Sequence, residues 1–457
     1  MRQSVALRPL PMPRTWPLRP SDLAAFATAN GILIVGMWVR HGGLNSLDSL
    51  GTQLTAAGQL TALLGTYLVL IQLVLMSRSP WLDQLFGMPR LAAWHRWVGF
   101  ACLWLLVGHG VFTIVGFSMV DRIDPIGEAW TMLTTYPYVL MATAALGLLV
   151  LVGVTSVRIA RRHLTYETWY YVHIYAYLGV ALAFAHQLVV GTDFINDTLA
   201  RGYWIALYAL TAACILFFRI GPPIQMAFRH RLQVANVVSE GPGVISIYVT
   251  GRDLDRLPVR AGQFFLWRFL AGDGWWRAHP FSISAAPNGE WLRLTVKDRG
   301  DDTRALQALR IGTPVFAEGP YGAFTGALSS RPRTLLIAGG IGITPLRALL
   351  EEMAAPPGTL TLIYRASRWD DVIFRRELDV LIKARLWRVH YVVGRRGLGE
   401  VPREPLDAAH IRALVPDAAK RDVFVCGPDS LLDAVRRSLA ILRVPVAQIH
   451  FERFAFS

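Results

Sequence analysis

The 457-residue sequence predicts a membrane α-helical bundle of six transmembrane helices, followed by an antiparallel β-barrel and an α/β parallel-sheet domain. Three observations predict it. Six long apolar runs precede about residue 220, and none of that length follows. Short alternating runs separated by Gly and Pro turns, such as Val244–Val249, Phe264–Phe269 and Trp291–Val296, occupy the stretch after about 226. From Arg333 onward, short β-rich runs alternate with helical stretches, the pattern of a parallel sheet.

Hydrophobic residues make up 53% of the chain and charged residues 17%, with mean hydropathy +0.37. Those values exclude disorder and lie on the membrane side of globular norms. The six runs cover roughly 23–39, 52–76, 91–117, 136–157, 166–190 and 202–219. Each approaches or exceeds the ~18–20 residues that cross a ~30 Å hydrocarbon core. Buried helices of a soluble protein would need six such runs in a row with almost no polar face. The net charge of +14 is not gathered into one dense patch, so a membrane fits it better than nucleic acid. Cys102, Cys214 and Cys426 stand far apart, which excludes a disulfide framework and a cysteine-built metal site.

Arginines mark one set of loops: Arg2, Arg8, Arg14 and Arg19, then Arg78 and Arg90, then Arg158, Arg161 and Arg162, then Arg229 and Arg231. The opposite loops carry Asp121, Asp124, Glu128, Asp193 and Asp197. The positive-inside rule therefore makes both termini cytoplasmic in a multi-pass plasma-membrane protein with an uncleaved first helix. Trp169, Tyr170 and Tyr171 suit either an interfacial belt or ordinary packing. The expected division is a tail at 1–20, the helical bundle at 21–220, the barrel at 226–328 and the α/β domain at 331–457.

Runs three and five each hold two histidines, His95 and His109, then His173 and His186. One histidine at such depth can serve as an interhelical hydrogen bond; four in two pairs point to metal ligation. Neutral imidazole is a good axial ligand for haem iron, and bis-histidine ligation leaves no open site, which suits electron transfer. Both runs cross in the same direction, so His95 is level with His173 and His109 with His186. Separations of 14 and 13 residues correspond to about 21 and 20 Å along the axes. Two stacked haems fit that spacing. Thirteen residues miss the same helix face by about 140°, so helix five needs a bend, a π-bulge, or haems approached from different sides. His41 and His163 lie at loop edges, where solvation accounts for them. Arg96, Arg158, Arg161 and Arg162 could pair with haem propionates, although topology alone accounts for arginines there.

The second half carries His279-Pro280-Phe281-Ser282-Ile283-Ser284, followed by Lys297 and Gly300-Asp301-Asp302-Thr303. An aromatic beside a hydroxyl on a strand can stack on an isoalloxazine and bond its polar edge, while downstream basic and hydroxyl groups can hold a pyrophosphate. Ordinary strand packing is the competing account. Thr334–Ala338 reads as a buried strand leading into Gly339-Gly340-Ile341-Gly342-Ile343-Thr344-Pro345 and an apolar helix. Such glycines let backbone approach phosphates, Thr344 can N-cap, and Pro345 suits the first helical position. After the next strand, Arg365, Ser367 and Arg368 stand where an acid would bind the ribose of NADH; arginine accommodates the 2′-phosphate of NADPH. Asp370 and Asp371 nearby argue for a plain solvated loop. Cys426-Gly427-Pro428 ends a later strand, where a small polarisable side chain can lie beside nicotinamide or simply close the strand. The terminal Phe451-Glu452-Arg453-Phe454-Ala455-Phe456-Ser457 offers an aromatic to cover the flavin, or to anchor a terminal strand.

Taken in order, the paired histidines, HPFSIS, GGIGITP, CGP and FERFAF resemble the NADPH oxidase and ferric reductase superfamily, over essentially the whole chain beyond the first twenty residues. The resemblance implies a six-helix domain with two b-type haems joined to a ferredoxin–NADP-reductase-like module that binds FAD and NADPH. By it, His279, Phe281, Ser282, Lys297 and Thr303 would bind FAD, with Pro280 and Gly300 beside them. Gly339, Gly340, Gly342 and Thr344 would hold the NADPH phosphates, with Pro345 beside them, and Arg365, Ser367 and Arg368 the 2′-phosphate. Cys426, with Gly427 and Pro428, would face the nicotinamide; Phe454, or else Phe456, would stack on the flavin. Electrons would pass from NADPH through FAD to the His95/His173 haem, then the His109/His186 haem, and out to oxygen as superoxide or to a ferric chelate. The absence of a calcium-binding EF-hand loop points to a compact prokaryotic member. A membrane-anchored flavin reductase without haem is the alternative from another class. A transporter with a regulatory nucleotide domain has little support, because no Pro/Gly-broken pair of helices recurs in two halves. Membrane lipid is the expected surrounding, and no protein partner can be named.

Overall fold

The computed structural model describes residues 19–453 apart from 46, 158–163, 165, 192–194, 196, 273 and 395–404. The chain divides between Arg219 and Ile220 into two compact units.

In the first unit the helices are α1 (Pro20–Arg40), α2 (Leu50–Leu75), α3 (Pro80–Phe86), α4 (Met88–Asp121), α5 (Pro125–Thr135), α6 (Val139–Ser156), α7 (Tyr166–Val190) and α8 (Thr198–Cys214). Six of them, all but α3 and α5, are long and apolar enough to cross a membrane, one for each apolar run. The protein itself covers little of their apolar surface: only 6% of the α4 window is buried, at mean hydropathy 2.0. Trp97, Trp104 and Leu140 point outward and are more than half exposed, a surface that only hydrocarbon satisfies. The capping residues lie in the sequence itself. Ser49 accepts from Thr52 N, Asp124 from Ile126 N and Gly127 N, and Asp197 from Leu199 N and Ala200 N. The short α3 and α5 fall where only loops are expected, each opened by a proline at its first position.

The helix α2 lies along α4 at close range because Gly51, Gly58 and Gly65, seven residues apart, are buried on one stripe. A Cβ on Gly58 would meet Thr113 Oγ1 at 2.7 Å, and one on Gly65 would meet Leu106 at 3.0 Å. From the other side, a Cβ on Gly116 would meet Gly51 O at 2.8 Å. Small residues let helix backbones approach where no hydrophobic force drives them together. The pair α6 and α7 packs alongside in the same way, whereas the α4 and α7 backbones stay apart.

The helix α8 widens into a π turn at Ile215–Ile220 before α9 (Gly221–His230). Pro222 and Pro223 lack the N–H groups that would bond back to Phe218 and Arg219, so the α ladder cannot close there.

The second unit begins with six strands, β1 (Gln233–Gly241), β2 (Val244–Thr250), β3 (Phe264–Phe269), β4 (His279–Ser282), β5 (Trp291–Lys297) and β6 (Val315–Tyr321), with α10 (Asp301–Ala305) after β5. They form two three-stranded antiparallel sheets, β1-β2-β5 and β4-β3-β6. In place of the continuous ladder expected of a barrel, the sheets meet at two isolated bridges, Gln233–Pro314 and Ile283–Leu294. The four-residue β4 is too short to pair further.

The remainder is β7 (Thr334–Gly339), α11 (Ile343–Glu352), β8 (Leu360–Ala366), α12 (Arg375–Ala384), β9 (Arg388–Val393), α13 (Ala408–Leu414), β10 (Asp422–Gly427), α14 (Asp429–Ile441) and β11 (Ile449–Arg453). The sheet is parallel throughout, in the order β11-β10-β7-β8-β9. The strands β7, β8 and β10 are buried along their whole length, which explains their unbroken apolar runs.

One apolar core continues from the antiparallel sheets into the face of the parallel sheet that bears Leu336 and Ala338, and it takes in Leu346 of α11. Charged contacts reinforce this junction. Arg293 of β5, 2% exposed, donates to both oxygens of Glu377 at 2.9 and 3.1 Å. Arg347 of α11 reaches the same carboxylate at 2.8 Å. Burial alone would raise the Glu377 carboxyl, but Arg293 and then Arg347 outweigh it and hold it below the usual carboxylate range.

Glu377→Ala leaves Arg293 buried without its partner and should cost about 3 kcal/mol, the low end for breaking a buried pair because Glu377 is about one-third exposed. Since the folded-state pKa is depressed, the wild-type contribution is complete above the unfolded-state value near ~4.3 and fades as pH falls through the folded-state value. Thermal unfolding of the flavin and nucleotide module at pH 7 and pH 4 checks both statements; an unchanged Tm at pH 7 contradicts them.

Candidate functional site

Four histidines face the gap between the two helix pairs. The rings of His95 on α4 and His173 on α7 lie 5.9 Å apart, and His186 on α7 lies within electrostatic reach of His109 on α4. Two imidazoles each ~2 Å from a shared metal have ring centres roughly 6 Å apart, so the His95/His173 pair fits a bis-histidine haem. The tautomers fit as well. A carbonyl can only accept, so His109 Nδ1–H donates to Gly58 O at 3.0 Å and His95 Nδ1–H to Gln72 O at 3.3 Å. Ser156 Oγ donates its proton to Val152 O at 2.7 Å, which leaves that oxygen to accept from Trp169 Nε1–H and from His173 Nδ1–H. In each case Nε2 keeps the lone pair that a metal needs. His186 Nδ1 is buried without a partner.

The α7 helix is regular from Tyr166 to Val190, so the π-bulge considered for the 13-residue spacing does not lie there. His41, expected to be solvated, is instead 2.9 Å from Asp197, the residue that caps α8. Phe454, Phe456, Arg158, Arg161, Arg162 and His163 lie outside the described residues.

In β4, alternation puts His279 and Phe281 on one face, their rings parallel to within 2° and 5.8 Å apart. Pro280 points the other way, and Ser282 is buried. Register fixes this strand: Phe281 pairs with Phe265, and Trp267 Nε1–H donates to Phe281 O at 3.0 Å. Burial and the guanidiniums of Arg277 and Arg268 push the His279 imidazole down to about 4, so it is neutral at pH 7. The turn at Gly300, with φ +136°, is closed by Thr303 Oγ1, which accepts from Arg299 N at 2.7 Å and donates to Gly300 O. Lys297 Nζ lies 3.0 Å from Asp371 of the nucleotide-binding half. Its ammonium is thus shared with a carboxylate rather than held open for a phosphate.

The topological switch point lies between β7 and β10, where ligands bind in open α/β sheets. Gly339, Gly340 and Gly342 leave β7 there; Cys426, Gly427 and Pro428 leave β10 beside them. A Cβ on Gly342 would collide with Cys426 O, so the glycine turn and the cysteine strand touch backbone to backbone. The helix opens at Ile343, not after Thr344. Thr344 therefore sits inside the first turn, and its hydroxyl donates to Ile341 O at 3.0 Å rather than capping. Pro345 is tolerated because first-turn N–H groups have no intrahelical partner. The Cys426 thiol is fully buried; burial, then Glu452, raises it far above the ordinary range and keeps it protonated.

The arginines at the end of β8 separate. Arg365 is buried and donates to the carbonyls of Ala366, Val392 (3.1 Å) and Gly394 (2.6 Å). Ser367 and Arg368 are exposed, with Arg368 3.1 Å from Asp370.

Three family models match in the same order as these sites. They are "ferric reductase like transmembrane component" over residues 61–184, "FAD-binding domain" over 229–325 and "oxidoreductase NAD-binding domain" over 336–437. The chain belongs to the NADPH oxidase and ferric reductase superfamily. Within that superfamily it is an oxidoreductase with a ferric-reductase-like transmembrane component and binding domains for FAD and a nicotinamide nucleotide. It is 31% identical over 188 residues to ferredoxin–NADP reductase B of Sorangium cellulosum, covering 38% of this chain and 77% of that protein. It is also 31% identical over 240 residues to the ferredoxin reductase component of the 3-ketosteroid-9-alpha-monooxygenase of Mycobacterium tuberculosis, covering 49% of this chain. The match spans 64% of that relative's length, just under two thirds. Among solved structures, the FAD/NAD-binding domain of a nitric oxide dioxygenase from Vibrio cholerae aligns at TM-score 0.41 and 23% identity, covering 50% of this chain and 99% of that one.

Sequence reading passed over several residues that shape these superfamily sites. Tyr364 donates to Gly340 O at 3.2 Å and steadies the glycine turn from β8. Glu351 and Glu352, at the end of α11, accept from Ala286 N and Ala261 N, both at 2.8 Å, and tie that helix to the flavin sheets. The seven-residue glycine repeat of α2 is legible in sequence; the partners of Tyr364, Glu351 and Glu352 are not.

Two glycines of the nucleotide turn should respond differently to alanine. Gly342→Ala drives a Cβ into the backbone of Cys426 and should abolish nucleotide binding along with at least 2 kcal/mol of module stability. Gly340→Ala meets open space and suffers only its φ of +53°, costing about 1 kcal/mol. Unfolding curves and nucleotide titration on both variants check this; equal losses contradict it.

Proposed function

We propose that this protein carries electrons from cytoplasmic NADPH across the plasma membrane to an acceptor on the outer face, with oxygen the first choice and a ferric chelate the second. FAD and two b-type haems supply the chemistry when bound, the flavin dividing a hydride pair into single electrons and each haem iron passing one at a time. The observation that carries this reading is the pair of histidine rings, 5.9 Å apart, facing each other from α4 and α7 in a chain that also holds flavin and nucleotide domains.

Each part of the chain has a stated task. His95 with His173, and His109 with His186, present neutral imidazoles at two depths. Phe281 offers a ring face and Ser282 a hydroxyl at the flavin strand, while neutral His279 adds no charge there. Gly300 and Thr303 shape the turn for the flavin pyrophosphate, with Lys297 shared with Asp371. Gly339, Gly340 and Gly342 open the backbone to nucleotide phosphates at the switch point. Cys426 walls the nicotinamide side as a neutral thiol, and Phe454 is the aromatic assigned to the flavin face. Arg368, with Ser367, takes the 2′-phosphate, whereas Arg365 braces the ends of β8 and β9. The cytoplasmic placement of both termini rests on the arginine-rich loops.

The domain boundaries 21–220, 226–328 and 331–457 belong to the same proposal. Purified protein given NADPH and oxygen, then superoxide dismutase or a ferric chelate, separates the two acceptors. Absence of sharp reduced α and Soret bands would instead identify a membrane-anchored flavin reductase.

Replacing His95 or His173 by alanine should remove one haem of two and stop steady electron output, while rapid NADPH reduction of FAD persists. Full haem content in either variant, measured by absorbance, breaks the pairing.

Nucleotide choice gives a separate check. Arg368→Ala removes a charge-assisted bond worth about 1.5–3 kcal/mol and should raise KM for NADPH roughly tenfold or more, with little change for NADH. Arg365→Ala should lower the unfolding temperature instead, since three carbonyls lose their donor. A stable Arg365→Ala variant that discriminates against NADPH would reverse the two roles.

A further inference from the structure

The glycine stripe of α2 and the histidines of α4 share one period. Gly51, Gly58, Gly65 and Gln72 follow at intervals of seven along α2, and the carbonyls of Gly58 and Gln72 are the ones that accept from His109 and His95. The two acceptors are fourteen residues apart, and so are the two histidines on the antiparallel neighbour. Fourteen residues return a helix to nearly the same face, so one packing seam serves both histidines at once. A backbone carbonyl inside a helix is ordinarily held by the N–H four residues on and shielded by side chains. At Gly58 no side chain stands in the way: a Cβ there would meet Thr113 Oγ1 at 2.7 Å and Thr113 N at 3.2 Å and hold the helices apart. Thr113 Oγ1 also sits 3.2 Å from His109 Nδ1, so the ring nitrogen is enclosed by acceptors on that side.

We propose that the α2 backbone is the positioning element for the α4 ligands: the carbonyls of Gly58 and Gln72, presented by the glycine seam, lock His109 and His95 as Nδ1–H tautomers with Nε2 aimed across the gap. This rests on the haem reading of the four histidines. The physical consequence is electronic as well as geometric. An imidazole whose Nδ1–H donates to a carbonyl is a stronger base at Nε2, favours ferric iron and lowers the midpoint potential of its haem. Gly58 and Gln72 are positioning residues; they touch the ligands and not the reacting atoms.

The test is a spectroelectrochemical titration of the full-length protein in lipid nanodiscs, comparing wild type, Gly58→Ala and Gly65→Ala. Gly65 lies midway along the same seam, and its Cβ would meet Leu106 at 3.0 Å, so Gly65→Ala wedges the same helices without touching a histidine acceptor. The expected result is that Gly58→Ala raises one of two midpoint potentials and leaves the other unchanged, while Gly65→Ala leaves both in place. Unchanged potentials in Gly58→Ala, or equal shifts in both variants, overturn the proposal while the haem reading stands. A wild-type protein without bis-histidine haem bands sinks the haem reading instead.

Should Gly58→Ala fail to accumulate, nitrogen NMR of 15N-histidine-labelled, haem-free protein decides. His109 and His95, identified through single His→Gln variants, must show the Nδ1–H tautomer; the Nε2–H tautomer in either ring overturns the assignment.

Discussion

Hydrocarbon gives polar groups no partners, and the helical unit of this protein is organised by that constraint. It forces the backbone into helices that satisfy themselves, leaves apolar faces such as Trp97 and Trp104 pointing outward, and puts a premium on partners for polar side chains inside the spans. Glycines at 51, 58 and 65 solve part of that problem by bringing α2 close enough for its carbonyls to receive the α4 histidines. Gln187, Thr66 and Tyr208 solve another part, with Tyr208 donating to Gln187 Oε1 at 2.6 Å and Gln187 Nε2 donating to Thr66 Oγ1 at 2.5 Å. The histidines stand out against this background: the His95 and His173 rings lie 5.9 Å apart across the gap between helix pairs, and His186 Nδ1 is buried without a partner.

In the second unit, water is available and the organising feature is α11. Its first turn follows the glycines that leave β7, and its last turn presents Glu351 and Glu352 to backbone N–H groups of Ala286 and Ala261 in the loops of the antiparallel half. Arg347 on the same helix joins Glu377 and, through it, Arg293 of β5. A ten-residue helix therefore connects the glycine turn after β7 to the loops of the antiparallel half and, through Glu377, to β5, within one continuous apolar core.

The candidate site was legible in sequence wherever chemistry and local spacing coincide. Four histidines in two apolar runs, the glycine turn after a buried strand, and Cys426-Gly427-Pro428 after another all fall where their patterns implied. Arg365 shows where that reading stops. Arginine after the second strand suggested a phosphate ligand, but the carbonyls of Val392 in the neighbouring β9 and of Gly394 just after it bind its guanidinium. Lys297 behaves likewise, since Asp371 lies 74 positions away in sequence and 3.0 Å away in space. Thr344 differs for a local reason, because the 3₁₀ turn at Gly340–Gly342 starts the helix two residues early and absorbs its hydroxyl.

By itself the sequence determined the number of spans, the two sheet types and the order of the chemical motifs. Each of these follows from periodicity along a single chain segment, which neighbours in space do not alter. Only the tertiary structure decided which donor meets which acceptor. The pairing of His109 with Gly58 O, of Arg293 with Glu377 and of Tyr364 with Gly340 O depends on how far apart two backbones stand, and that distance is set by packing between segments remote in sequence. A hydrogen bond fails within a few tenths of an ångström of misplacement, whereas an apolar period tolerates many substitutions; the coarse fold is therefore written locally and the site is not.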